Sequence, residues 1–314
     1  MLMRRQGAFE MEMDKNQTHG RFTGRALIIL YVFIVLSLAL AIGRTVLISN
    51  HYNTSTGYYD GEGSFDTLIN VAVNCVIVLG ILSALMFARK IAYKDSARDG
   101  LTIAAGVLAF ALGMTGAVTY FFEASAVSSK PAFGVITEIF AFLAAAFFAY
   151  AAWSEFTKKR NVLVWTVLCL CAVAFCIFNM LRLYFDLGQT MNNPAKIAEQ
   201  VMMVAFVPYL MLDCRMKLGT GRPAALFGFG LAALAASCYS VIPDILVRVL
   251  YNYRVNTSLS AQLIALGILI YTLLSLLSYA LRIIPAEVKE KDTEDKQSCD
   301  PESAETDKIE GPEA

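Results

Sequence analysis

Histidine is almost missing from this chain of 314 residues, which contains two, His19 and His51. That removes the usual ligands of zinc and haem and the usual base for a serine or cysteine nucleophile, and no cofactor or metal is expected. Charge is also scarce. Asp, Glu, Lys and Arg make up 17% of the chain and hydrophobic residues 57%, against about 25% charged in soluble domains. The formal net charge is zero, so nothing attracts nucleic acid. Seven cysteines are present without a C-x-x-C pair, and Cys75, Cys169, Cys171, Cys176, Cys214 and Cys238 lie in or beside apolar runs. They read as free thiols packed like small hydrophobes, with Cys299 in the tail.

Enzyme motifs are missing too. No G-x-x-x-x-G-K-[ST] phosphate loop and no G-x-S-x-G elbow occurs. "DSARDG" at 95–100 carries a fragment of the pattern of CDP-alcohol phosphotransferases, but "LTIAAGVLAFALG" after it lacks the later aspartates that would hold metal ions. Asp95 and Asp99 therefore read as acids near a helix start, where the dipole favours them. No complete catalytic set is found.

What the chain has is long apolar runs. Eight are long enough to cross a bilayer as helices, at about 25–48, 67–89, 101–122, 133–153, 161–184, 197–214, 223–242 and 261–284. The fold class is an all-α integral membrane bundle of eight transmembrane helices. Lysine and arginine give the orientation. With the N-terminus cytoplasmic, 20 of them fall inside and six outside or in the outer half, so both termini are expected in the cytoplasm. Residues 1–24 read as a polar N-terminal tail, 25–284 as the membrane domain and 285–314 as a disordered tail with eleven acids against four lysines. Pro208 falls inside span six. Pro243 follows span seven, and 243–253 reads as a short helix lying at the outer interface, with a bent continuation of span seven as the alternative. Spans one to four align weakly with five to eight, Arg44 on Arg182 and Arg89 on Arg215. That alignment raises a 4+4 parallel repeat with halves 25–153 and 161–284.

Polar groups at membrane depth are costly and mark sites or pairs. Most lie toward the outer ends: Arg44, Asn70, Asn74, Glu138, Asn179, Arg182, Glu199, Gln200 and Asp244. Two readings stay open. In one they line a polar recess open to the outside, where the arginine forks suit a small polar or anionic ligand. In the other they pair with each other and with helix ends. Glu138, the acid deepest from the outer end, is the candidate for proton coupling. The inner halves of the spans look nearly devoid of such groups.

The stretches "LRLYFDLGQTMNNPAKIAEQ", "LMLDCRMKLG" and "SVIPDIL" make residues 180–284 resemble an uncharacterised family of polytopic membrane proteins of anaerobic Gram-positive bacteria. The resemblance implies a bacterial plasma-membrane location and carries no functional residue. The leading expectation is a small-molecule transporter or permease-like protein with an outward-facing recess. The alternatives are a non-transporting sensor or accessory subunit, and a lipid-headgroup enzyme at the outer leaflet.

Overall fold

The computed structural model describes residues 2–53, 58–59, 63–87, 91–93, 99–125, 132–185, 193–251 and 258–285. Eight helices carry the chain: α1 (Leu2–His51), α2 (Gly63–Phe87), α3 (Gly100–Ser125), α4 (Ala132–Thr157), α5 (Val162–Phe185), α6 (Pro194–Lys217), α7 (Pro223–Tyr251) and α8 (Leu259–Leu281). Each contains a stretch long and apolar enough to cross a membrane. Large hydrophobics such as Ile28, Val32, Leu68, Leu85, Met86 and Leu163 point outward, as bilayer contact requires. The protein is an all-α membrane bundle. Its α4–α5 and α6–α7 connections lie at one end, called here the basic face after Lys158, Lys159, Arg160, Arg215 and Arg222.

The helix ends follow from local chemistry. Asn193 caps α6, its side chain accepting from the Ala195 amide at 2.8 Å, with Pro194 at the first helical position. The other end of α6 closes as a Schellman turn. The Gly219 amide donates to Met216 O and the Thr220 amide to Arg215 O, with Gly219 at φ 81°. Asp99 caps α3 through the Leu101 amide, and Asn161 caps α5 through Leu163 and Val164.

The most buried helix is α7, with 83% of its apolar stretch inside the protein against 28% for α1 and for α2. Its sequence explains that position. Ala232, Ala233, Ala235, Ala236 and Ser237 are fully buried, and small residues let backbones approach where lipid offers no competing hydrophobic drive. Helices α1, α2, α6 and α8 surround it.

Four expectations change. α7 continues as one helix through Pro243 to Tyr251, so 243–251 continues span seven rather than forming a separate interfacial helix, and 252–253 lie outside the described residues. α1 extends back to Leu2 through the segment read as a tail. The two halves of the expected 4+4 repeat pack differently. α3 packs most extensively on α8 and α2 on α7, while their counterparts in a repeat, α7 on α4 and α6 on α3, are not among the extensively packed pairs. Finally, two small antiparallel pairs occur: β1 (Tyr52–Asn53) with β2 (Tyr58–Tyr59), and β3 (Ile91–Tyr93) with β4 (Ile283–Pro285) at the basic face. The hairpin residues 186–192 and the acidic tail beyond Pro285 lie outside the described residues.

Candidate functional site

The polar residues singled out by sequence fall into two clusters at the end opposite the basic face. The first joins α1, α2 and α7. Proline at 243 has no amide to give to the carbonyl of Tyr239 four residues back. Arg44, 1% exposed, supplies the donor instead: Nη1 donates to Tyr239 O at 2.6 Å and to Ser240 O at 3.2 Å. Its guanidinium lies 4.9 Å from the Tyr239 ring centre and pairs with Asp244 at 3.5 Å. Burial pushes the nearby Tyr59 phenol up to about 12 against the opposing pull of Arg44, so Tyr59 stays neutral there. Tyr239 Oη donates to Asn70 at 2.9 Å, Asn70 donates to Asp66, and Asn74 donates back to Asn70 O. Asn70 and Asn74 are otherwise exposed on the outer surface of α2.

The second cluster joins α5 and α6. Asn179 Nδ2 donates to Glu199 Oε1 at 2.9 Å, and Asn179 Oδ1 accepts from Arg182 Nε and Nη2 at 3.1 and 2.9 Å. Arg182 also lies over the Tyr120 ring at 5.2 Å. The recess that these three residues line with Thr137, Ala141 and Ile264 has a volume of about 10 Å³. That is one water at most. Glu138 is buried on α4 beside Thr137, and Gln200 is half-buried on α6. Among the described residues, the nine therefore do not converge on one recess, and the Arg44 and Arg182 clusters are each internally paired.

Among the described residues, a larger cavity lies at the other end. About 310 Å³ opens at the basic face, lined by Thr102, Glu155, Arg160, Met216, Lys217, Tyr279 and the turn at Gly219 and Gly221. Behind its wall sits Asp213, 0% exposed. Tyr271 Oη donates to Asp213 Oδ2 at 2.7 Å, Tyr279 Oη donates to Oδ1, and Lys217 Nζ approaches Oδ2 at 3.4 Å. Glu155 pairs with Lys158 at 2.7 Å and with Arg160, whose Nη1 donates to Lys217 O at 2.6 Å. Nearby, Asp99 accepts from Thr102 and Ser278 and pairs with Arg282 at 3.0 Å. Burial alone would raise the Asp99 carboxyl, but these hydrogen bonds and Arg282 hold it below its ordinary value.

The expectation of inner halves without polar groups is thus overturned. The missed residues carry a readable signal. Tyr209, Asp213 and Lys217 recur every four residues on α6, and Tyr271, Ser275 and Tyr279 do so on α8, which puts each set on one helix face. The hydroxyls of Tyr209, Ser237 and Ser275 are buried, and those of Tyr209 and Ser275 face each other.

The fold and these clusters define a polytopic α-helical membrane protein with a charged cavity at one face. No protein-family model matches the chain, and neither a curated protein nor a solved structure is similar to it.

Proposed function

We propose that this chain is a multi-pass plasma-membrane carrier for a small polar solute, that its basic face is cytoplasmic, and that the solute site is the cavity at that face. The observation that carries this reading is a difference among the described residues, a cavity of about 310 Å³ at one end and a recess of about 10 Å³ among the polar residues of the other. A carrier that alternates its access holds one end closed while the other is open. Buried charges are kept at membrane depth where they line such a path. The buried hydroxyls of Tyr209 and Ser275 lie one turn beyond Asp213 and between Tyr271 and Tyr279, extending the polar stripe into the bundle. The excess of lysine and arginine at the basic face supports the orientation. The outward recess expected from the sequence is, in this reading, the closed end.

The test needs no knowledge of the solute. Ala141 lines the small recess and is 5% exposed. In vesicles that expose the opposite face, an Ala141→Cys variant is expected to react slowly but completely with a membrane-impermeant maleimide, because a carrier must open that end. The parent chain gives the background from native cysteines. Labelling no faster than that background over hours overturns the reading. It would favour the second one, a non-transporting sensor or accessory subunit, which the tight pairing of Arg44, Asn179, Arg182 and Glu199 as fixed structure would suit.

A further inference from the structure

We propose that the basic-face cavity binds a small oxyanion, a carboxylate or phosphate group, through the ammonium of Lys217. The inference rests on the reading of that cavity as the functional site and names the chemistry it accepts. Lys217 lines the cavity, and its side chain is 6% exposed. An ammonium has three donors and, when buried, needs close oxygen partners at about 2.7–2.9 Å. Lys217 has two oxygen contacts and both are long, 3.4 Å to Asp213 and 3.3 Å to Tyr271. Asp213 is already served by the Tyr271 and Tyr279 hydroxyls. Ring faces flank the ammonium as well, Trp165 at 5.1 Å and Tyr271 at 5.7 Å. They favour the cation but offer it no oxygen.

The surrounding charges agree with an anionic guest. Lys217, Arg160 and Lys158 face Glu155 and Asp213, three cations against two carboxylates, with Asp99 and Arg282 balancing each other beside Thr102. Glu155 pairs with both Lys158 and Arg160; Lys217 lies within its electrostatic reach but makes no ion pair with it among the described residues. Gly219 and Gly221 bring no side chains into the cavity. A volume of about 310 Å³ is at the small end of ligand sites. It suits a small metabolite or the headgroup of a lipid.

Trp165 reports on this site. The chain has two tryptophans: Trp153 is 52% exposed at the outer surface and Trp165 is fully buried beside Lys217. In a purified Trp153→Phe protein in detergent, Trp165 emission is titrated with acetate and with inorganic phosphate, chloride at matched ionic strength serving as the control. A short-chain phosphatidic acid forms a parallel series. The expected result is a saturable change with an oxyanion and none with chloride. Binding should weaken by at least about tenfold in Lys217→Gln, the loss of one charge-assisted hydrogen bond, and survive in Lys217→Arg. Saturation by a soluble probe assigns a free anion, and saturation by phosphatidic acid alone assigns a lipid headgroup. Both support the site. No saturable change with any probe, or an unaltered titration in Lys217→Gln, overturns it. The Trp153→Phe titration leaves Lys217 intact and decides the matter even if Lys217→Gln does not fold. Saturable binding with an unlabelled Ala141→Cys retires the carrier and keeps the anion site. Labelling without binding does the reverse.

Discussion

Arg44 gives the clearest lesson at the residue scale, because its role is set by a proline on another helix. Pro243 leaves the Tyr239 carbonyl without its helical donor, and Arg44 fills the gap at 2.6 Å while pairing with Asp244. Arg44→Gln should therefore lower stability by about 3–5 kcal/mol, the range for breaking a buried pair. Pro243→Ala restores the amide, so the double variant should recover about 1 kcal/mol, the net value of one hydrogen bond. Thermal unfolding of the four proteins of the cycle measures this, and strict additivity would refute the link. Asp99 carries a pH prediction. Its folded-state carboxyl titrates below the ordinary value because Ser278, Thr102 and Arg282 outweigh burial. Its contribution is present above the unfolded carboxyl pKa of about 4 and is lost as pH falls through the lower folded value. Asp99→Asn should flatten the acid limb of the Tm–pH curve and leave less to lose below about pH 4. An unchanged acid limb would sink this. Arg44, Arg182 and Glu199 were legible as singular because they interrupt apolar runs. That they pair was one of the two open readings; which partners they take was not legible, since these are carbonyls and side chains far along the chain.

At the scale of the element, the eight spans were legible because a bilayer leaves the chain few options. The continuation of α7 through Pro243 was legible only as an alternative, because the donor that rescues it comes from α1. The basic-face site was not legible. The charges of "LDCRMK" read as a loop cluster, and only the four-residue spacing places Asp213 and Lys217 on one face with Tyr209. Helix crossings supply a sharper test. At the α2–α7 contact a Cβ on Gly80 would lie 2.9 Å from the Ala232 backbone nitrogen, whereas one on Gly100, at the start of α3, would meet nothing within 4 Å. Backbone cannot move aside as a flexible side chain can. Gly80→Ala should cost about 1–3 kcal/mol, as overpacking does, while Gly100→Ala should be neutral or slightly stabilising. Equal melting temperatures for the two variants would show that α2 and α7 are not held at this separation.

The whole molecule is a bundle with two polar ends that differ in kind. At the basic face, charges surround open space; at the other, they are joined helix to helix. If the closed end is a gate, its strength lies in the α5–α6 link, where Asn179 bridges Arg182 and Glu199. Glu199→Gln keeps the shape of that bridge and removes its charge. In a carrier this tilts the balance toward opening, and each 1.4 kcal/mol lost speeds labelling by about tenfold. The Ala141→Cys, Glu199→Gln double variant should therefore react with the impermeant maleimide roughly tenfold faster than Ala141→Cys alone. In a rigid receptor, Glu199→Gln would lower the melting temperature without changing the labelling rate. The same pair of measurements thus separates a weakened gate from a weakened fold. The local strain is alike in the two cases, and only a molecule with a second, open arrangement of that end turns it into access.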